Sequence, residues 1–226
     1  MKGLIDDFFK ARFLTESLKT VYTKNTPLEM MTTKVDKEGY YQWKLINGTL
    51  KKEDYYRLEA KYNVKFPSFF VEWHRKYYFL DGDCSFLQLP ASSPSEPLKE
   101  IADLLENDYA RELSKEGLYA FAADGNDEGL LVFDSRSVGP SGDFPIRAYD
   151  FAADGNLEGL SEIIFSSFQK LIECTTFFLE RTKIRKNFEV FPDFFLIDPD
   201  GAGKYGVDYW LEWVSMKKQN FTDFGY

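Results

Sequence analysis

Residues 53–79 read EDYYRLEAKYNVKFPSFFVEWHRKYYF and contain two helical patterns that meet at a proline. Tyr55, Leu58 and Tyr62 recur at helical spacing, which predicts a short amphipathic helix over about 51–62. A second helix is predicted to open at Phe66-Pro67, because proline suits the first helical position, where a backbone N–H has no helical partner. The apolar stripe of that helix is aromatic: Phe66, Phe70, Trp73 and Tyr77.

The rest of the chain has the element order that is typical of α+β proteins. Apolar residues at helical spacing predict helices over 4–22 and 161–181. Runs of branched and aromatic residues predict strands at 118–123, 129–134 and 145–150, and a further aromatic strand at 193–197. Helices come first, strands cluster in the middle and a long helix follows, so we expect an α+β fold. With 22 Phe and 14 Tyr, the core should be built largely from rings.

Four short motifs follow one another in the opening stretch: Leu58-Glu59, Tyr62-Asn63, Phe66-Pro67 and the aromatic run from Phe69 to Tyr77. This order resembles the opening of the SUKH superfamily, which takes in bacterial immunity proteins and a yeast regulator of cell-wall assembly. The middle of the chain is similar as well, with a strand, an acidic glycine-rich turn and a second strand that ends at Asp134. The resemblance covers about 50–181. It implies one SUKH-like domain over 1–226, with a central, mostly antiparallel sheet flanked by helices, a helical N-terminal extension at 1–46 and a C-terminal extension at 185–226.

Charge and composition narrow the classes of partner. The formal net charge is −9, and no basic stripe is present to follow a phosphate backbone, so direct binding of nucleic acid is not expected. No apolar run approaches the length of a membrane span, so no membrane partner is expected. Asp6 and Asp7 interrupt the place where a signal peptide needs its apolar run, which favours a cytoplasmic protein. Cys84 and Cys174 are far apart in sequence and are expected to be buried thiols.

A ten-residue segment occurs twice, as FAADGNDEGL at 121–130 and FAADGNLEGL at 151–160. Calcium-binding loops share its spacing of acids and glycine, but they also need a glutamate at the twelfth position. Ser135 and Phe165 stand there, which argues against calcium. We expect two glycine turns instead, the first joining two strands and the second joining a strand to a helix, on one rim of the domain.

Other chemistries find little support in the sequence. His74 is the only histidine and lies on a predicted helix among aromatic residues, which favours a structural role. The segment GAGK at 201–204 fails as a phosphate loop, because Asp198 replaces the first glycine and Tyr205 replaces the Ser or Thr that holds magnesium. It is predicted to be a tight turn. We therefore expect no cofactor, no metal and no catalytic set.

The resemblance to the SUKH superfamily implies a role in binding, not in catalysis. Many bacterial members are immunity proteins that neutralise a toxin, often a nuclease, and an acidic chain suits a basic toxin domain as partner. A regulatory or scaffolding module of the same fold, or an enzyme with an acid-based site, remains an alternative. The expected partner-binding residues are the polar side chains of the repeated turns and, more weakly, of an earlier turn: Asp124, Asn126, Asp127, Glu128, Asp154, Asn156, Glu158, Asp81 and Asp83.

Overall fold

The chain folds as an α+β protein in the computed structural model, which describes residues 2–13, 18–126, 128–138 and 142–224. Helices precede, follow and cover a central antiparallel sheet, and the α+β class agrees with the element order that the sequence predicts. The helices are α1 (Lys2–Phe13), α2 (Lys52–Tyr62), α3 (Ser68–His74), α4 (Lys99–Glu106), α5 (Asp108–Lys115), α6 (Phe168–Arg181), α7 (Asn187–Val190), α8 (Phe194–Ile197) and α9 (Val207–Phe224). In the described part of the chain, no helix is both long and apolar enough to cross a lipid bilayer.

The strands form one larger sheet and two small ones. They are β1 (Lys19–Val21), β2 (Tyr40–Gln42), β3 (Ile46–Asn47), β4 (Tyr77–Tyr78), β5 (Leu87–Gln88), β6 (Leu118–Asp124), β7 (Gly129–Asp134) and β8 (Ile146–Asp150). The larger sheet has the order β5-β6-β7-β8, and each neighbouring pair is antiparallel. The two small sheets pair β1 with β2 and β3 with β4. The three predicted central strands are therefore confirmed.

The step between α2 and α3 is held by a buried carboxylate. The carboxylate of Glu59 accepts a hydrogen bond from the backbone N–H of Phe66 at 2.8 Å and forms an ion pair with Lys65 at 3.0 Å. Asn63 ends α2 in the left-handed conformation, with φ of +52°, which turns the chain sharply. The motif residues Leu58-Glu59 and Phe66-Pro67 thus shape the local fold, and their presence needs no ligand to explain it.

Aromatic rings join the sheet to the helices on one face. Phe70 of α3 lies with its ring centroid 5.9 Å from that of Phe121 and 5.5 Å from that of Phe133. Phe168, at the start of α6, completes the contact at 5.1 Å from Phe70. A smaller cluster on the opposite face includes Leu113 of α5. The sheet is therefore covered on both faces.

The predicted helix 161–181 is correct only from Phe168 onward. The residues before it extend along the edge strand β8, where Ser161 donates its N–H to Ala148 and Ile164 donates to Ile146, each at 2.9 Å. Helix α6 begins after Ser167, whose hydroxyl accepts the N–H of Lys170 at 3.1 Å. The N-terminal helix is likewise shorter than the predicted 4–22: α1 ends at Phe13, residues 14–17 lie outside the described chain, and Lys19–Val21 form β1.

The prediction of a strand at 193–197 is wrong, because these residues are helical. A short 3₁₀ helix, Phe191–Asp193, leads directly into α8. Pro192 lies in its first turn, where proline is common because the missing N–H would have no helical partner. Phe191 and Phe194 are three residues apart, so both rings point to the same side and are fully buried.

Helix α9 then crosses back to the body of the protein. Its Trp210 donates its indole N–H to the carbonyl of Ile164 at 3.1 Å and packs with its ring centroid 5.6 Å from that of Phe191. This contact fixes the C-terminal helix beside the edge of the large sheet.

Candidate functional site

The first copy of the repeated segment closes the hairpin between β6 and β7. One carboxylate oxygen of Asp124 accepts the N–H of Asn126 at 3.1 Å and that of Glu128 at 3.0 Å. A short polar side chain that bonds the backbone two residues ahead is a common way to stabilise a turn. Asp124 therefore holds the hairpin together, whatever else it contacts.

Gly125 is needed in this hairpin because another backbone lies against it. Its N–H donates to the carbonyl of Phe86 at 3.0 Å. A Cβ added to Gly125 would stand 2.6 Å from the carbonyl carbon of Phe86, closer than any side chain tolerates. Its φ is not in the left-handed region, so close approach alone accounts for the glycine.

The second copy adopts a different conformation after the edge strand β8. Two short 3₁₀ turns form here, at Phe151–Ala153 and Leu157–Gly159. Between them, Asp154 and Gly155 take the left-handed conformation, with φ of +49° and +86°. Asp154 and Gly155 of the second copy thus take the left-handed conformation, whereas the equivalent Asp124 and Gly125 of the first copy do not, because Asp124 is paired with Leu87 in the sheet.

The two copies are neighbours in space. β7 pairs with β8 in a register that places Gly129 opposite Asp150, and the N–H of Phe151 donates to the carbonyl of Glu128 at 2.9 Å. The end of one copy is thereby joined to the start of the other. The predicted common rim is confirmed for this junction.

A groove of about 390 Å³ opens where the repeated turns face α9. We call it the acidic groove. Its carboxylates come from four separate segments of the chain: Asp124 and Glu128, Asp150, Glu158, and Glu212. The apolar side chains that line it are Tyr149, Leu160, Tyr209, Trp213 and Met216, of which Tyr149 and Trp213 are almost fully buried. Among the described residues that line the groove, none is a lysine or an arginine.

Helix α9 forms the aromatic wall of the acidic groove. The side-chain amide of Asn126 donates to the sulfur of Met216 at 3.5 Å, which ties the hairpin to the helix. Burial raises the pKa of the Tyr209 phenol, and the negative charges of Asp124 and Glu212 raise it further against an opposing hydrogen bond from Trp213. The carboxylates of Asp124 and Glu212, from opposite walls of the groove, therefore both raise the pKa of the same phenol.

Not every predicted site residue reaches this groove. Asp124, Asn126, Glu128 and Glu158 line it. Asp154 does not, because it faces α5, where the hydroxyl of Tyr109 donates to it at 3.3 Å. The carboxamide oxygen of Asn156 accepts the N–H of Glu158 at 3.0 Å, so Asn156 shapes the turn without lining the groove. Asp127 lies outside the described residues.

Asp81 and Asp83 belong to a neighbouring turn with its own internal bonds. Asp81 forms an ion pair with the buried Arg12 at 2.6 Å, and Asp83 accepts the N–H of Ser85 at 2.7 Å. Neither residue lines the acidic groove. Asp83 lies close enough to α9 for its charge to raise the pKa of Lys217, although burial, the larger effect, leaves that pKa lowered.

The contribution of α9 was not anticipated from the sequence. The resemblance places Glu212, Trp213 and Met216 in an extension outside the core, and the strand pattern predicts Asp150 only as the end of a strand. The signal was present in the helical spacing of Tyr209, Trp213 and Met216.

The other candidate chemistries have structural explanations. His74 is fully buried, its Nδ1 lies 2.7 Å from the hydroxyl of Tyr55, and burial lowers its pKa to about 4. The turn that contains GAGK wraps around the buried carboxylate of Asp198, which accepts the N–H of Gly201 at 3.2 Å and of Ser166 at 2.8 Å. Within the described ranges, no group of three or more His, Cys, Asp or Glu residues is placed to hold a metal ion.

Comparison with known proteins adds no relative from which a role could be transferred. No protein-family model matches the chain, and no curated protein matches it.

Proposed function

We propose that this protein is an immunity-type protein that binds a cognate toxin, a nuclease, and neutralises it by protein–protein contact at the acidic groove. The observation that carries the proposal is the groove itself, where carboxylates from four chain segments surround an aromatic wall and no lysine or arginine is present among the described lining residues. The resemblance of residues 50–181 to the SUKH superfamily supports the same role.

The physical basis is charge complementarity around an apolar centre. A nuclease carries basic side chains to bind phosphate, and carboxylates on a partner attract and cover such a surface. The strongest interface contacts are usually aromatic or arginine side chains that become fully desolvated. The half-buried side chains of Tyr209, Leu160 and Met216 offer that apolar centre. Exposed charge around it comes from Glu128, Glu158 and Glu212. The net charge of −9 adds long-range attraction.

A regulatory or scaffolding module of the same fold is the second candidate. The size of the groove favours the regulatory role. A volume of about 390 Å³ can hold one short segment of a partner, whereas a toxin would have to be covered over a broader surface. In both candidates the chain acts by contact and not by catalysis. The immunity role would place the protein in the cytoplasm of the cell that it protects, where its two buried cysteines stay reduced.

The experiment captures partners from native extract with the tagged protein and assays the captured protein for nuclease activity. The wild type should hold a basic toxin domain in a stoichiometric complex and abolish its activity. The combined variant Glu128→Lys, Glu158→Lys and Glu212→Lys should lose both effects. These three side chains are exposed, and Asp124 is left unchanged because its carboxylate holds the hairpin.

A charge-matched control separates the groove from general electrostatics. Glu29→Lys, Glu38→Lys and Glu180→Lys change the net charge by the same amount at exposed positions outside the groove. This control should bind and neutralise like the wild type. Capture of a partner without nuclease or other toxic activity would reject the immunity role in favour of the regulatory one.

A further inference from the structure

We propose that a second cavity, between α2 and the connection from β7 to β8, binds a small amphipathic carboxylate, a molecule with an apolar body and one carboxylate group. We call this cavity the basic pocket, and its volume is about 390 Å³. Strand β7 starts at the hairpin that borders the acidic groove and ends at Asp134, where the connection to β8 begins. The basic pocket therefore lies at the opposite end of the sheet, and this inference is independent of the proposed function.

One face of α2 forms the first wall of the basic pocket. Lys52 and Tyr56 are four residues apart, and Glu59 follows three residues later, so the three side chains lie on the same side of the helix. All three line the cavity. The helical spacing thus places a cation, an aromatic ring and a carboxylate next to one another.

Open apolar surface is concentrated at the mouth of the basic pocket. The side chains of Tyr56 and Val138, which come from the two walls, are 54% and 65% exposed. Phe144 is half-buried beside them, whereas Phe66 and Val71 form an almost fully buried floor. A ligand with an apolar body would remove the exposed surface of Tyr56 and Val138 from water, which favours binding. The volume lies in the range of small-molecule sites.

The charge of the basic pocket has one uncompensated part. The ammonium of Lys65 forms an ion pair with one carboxylate oxygen of Glu59 at 3.0 Å, and the other oxygen accepts the N–H of Phe66. The same ammonium lies 5.3 Å from the ring centroid of Tyr56. Lys52 is exposed, and no described residue forms an ion pair or a side-chain hydrogen bond with it. Its positive charge is therefore available to a ligand.

These charges select an anion. Among the described residues that line the basic pocket, two are lysines and one, Glu59, is a carboxylate whose two oxygens already have partners. The lining is thus positive, although the whole chain carries a net charge of −9. The exposed hydroxyl of Ser68 adds a hydrogen-bond donor at the same cavity. A carboxylate can pair with Lys52 by a charge-assisted hydrogen bond, whereas a cationic ligand would be repelled.

The test is a titration of the full chain, uniformly labelled with ¹⁵N, with hydrocinnamate as probe. Hydrocinnamamide keeps the shape of the probe without its charge, and phenylpropylamine keeps the ring but reverses the charge. Hydrocinnamate should cause saturable shifts of the backbone amides of Ser68, Val71 and Phe144. Hydrocinnamamide should bind several-fold more weakly at the same place, and phenylpropylamine should cause no saturable shift there.

Three variants locate the binding. Lys52→Gln should weaken hydrocinnamate about two- to fivefold, the size expected for one exposed charge pair. Tyr56→Ala should weaken hydrocinnamate and hydrocinnamamide by the same factor, because both probes use the ring. The matched control Lys37→Gln removes an exposed lysine outside the pocket and should leave the affinity unchanged.

Three results would overturn the inference. The first is equal affinity for hydrocinnamate and phenylpropylamine. The second is the absence of saturable shifts at Ser68, Val71 and Phe144 up to the solubility limit of hydrocinnamate. The third is an equal loss of affinity in Lys37→Gln and Lys52→Gln, which would show that only the overall charge of the chain matters.

Discussion

Replacing the equivalent glycines of the two repeated segments should have unequal effects on stability. Gly125→Ala and Gly155→Ala change the same letter of the same ten-residue segment, and both remove the same amount of backbone freedom from the unfolded chain. That contribution cancels when the two variants are compared. The difference between their free energies of unfolding then reports the folded surroundings alone.

Substitution by alanine should lower the free energy of unfolding more at Gly125 than at Gly155. The added methyl group would lie 2.6 Å from the carbonyl carbon of Phe86 and 2.8 Å from the carbonyl oxygen of Ser85, so one backbone must move. Overpacking of this kind costs about 1–3 kcal/mol. Losing the hydrogen bond from Gly125 to Phe86 adds about 1 kcal/mol. We expect Gly125→Ala to lower the free energy of unfolding by about 3 kcal/mol.

At Gly155 the cause is conformational. No atom lies within 4 Å of an added Cβ, but φ is +86°. A side chain in the left-handed region costs about 1–2 kcal/mol, and asparagine tolerates that region better than alanine does. Gly155→Asn should therefore cost less than Gly155→Ala, whereas Gly125→Asn should cost more than Gly125→Ala.

Urea-induced unfolding followed by tryptophan fluorescence measures these free energies, since Trp73, Trp210 and Trp213 are buried in the folded protein. Equal losses for the two alanine variants would refute the reasoning. A free energy of unfolding for Gly125→Asn that is higher than that for Gly125→Ala would refute it too.

Three further predictions concern the supports of the fold. Burial would raise the pKa of Asp134, but hydrogen bonds from two arginines outweigh it and lower the pKa. Asp134→Asn should therefore cost about 3 kcal/mol in urea unfolding near neutral pH, and the cost should shrink as the pH falls through that lowered pKa, because the wild-type carboxylate then becomes neutral too. The imidazole of His74, whose pKa burial lowers to about 4, should not titrate by NMR between about pH 8 and about pH 5; a titration near the ordinary value of 6.5 would contradict its burial. Trp210→Phe removes the hydrogen bond to Ile164 and should lower the unfolding free energy by about 1–2 kcal/mol, and an unchanged unfolding midpoint would contradict the anchoring role of Trp210.

The central sheet was predictable because its signals are local. Alternating or continuous apolar runs marked 118–123, 129–134 and 145–150, and the structure pairs those segments as neighbours with few changes in their bounds. The helix at 161–181 was predicted too long, since apolar spacing cannot distinguish a helical turn from the extended residues that add to β8. The aromatic segment 193–197 looked like a strand for the same reason.

The acidic groove was predictable only in part. Its hairpin wall follows from the composition of the turn at 124–128, but the other wall comes from Glu212, Trp213 and Met216, far along the chain. No local pattern states which distant segment a turn will face. The near-identical sequences of the two copies do not predict their different conformations. Strand pairing fixes the conformation of the first copy, whereas the second copy forms 3₁₀ turns after β8 ends.

The distance along the chain between the two walls has a consequence for biosynthesis. Protein synthesis proceeds from the N-terminus, so residues 124–128 leave the ribosome before residues 209–216 are made. At ordinary elongation rates this interval is on the order of ten seconds. During that time the hairpin exists without its aromatic wall, and Trp210 cannot yet fix α9 against Ile164. A nascent chain therefore presents the acidic turns without the groove, which forms only after α9 has been translated.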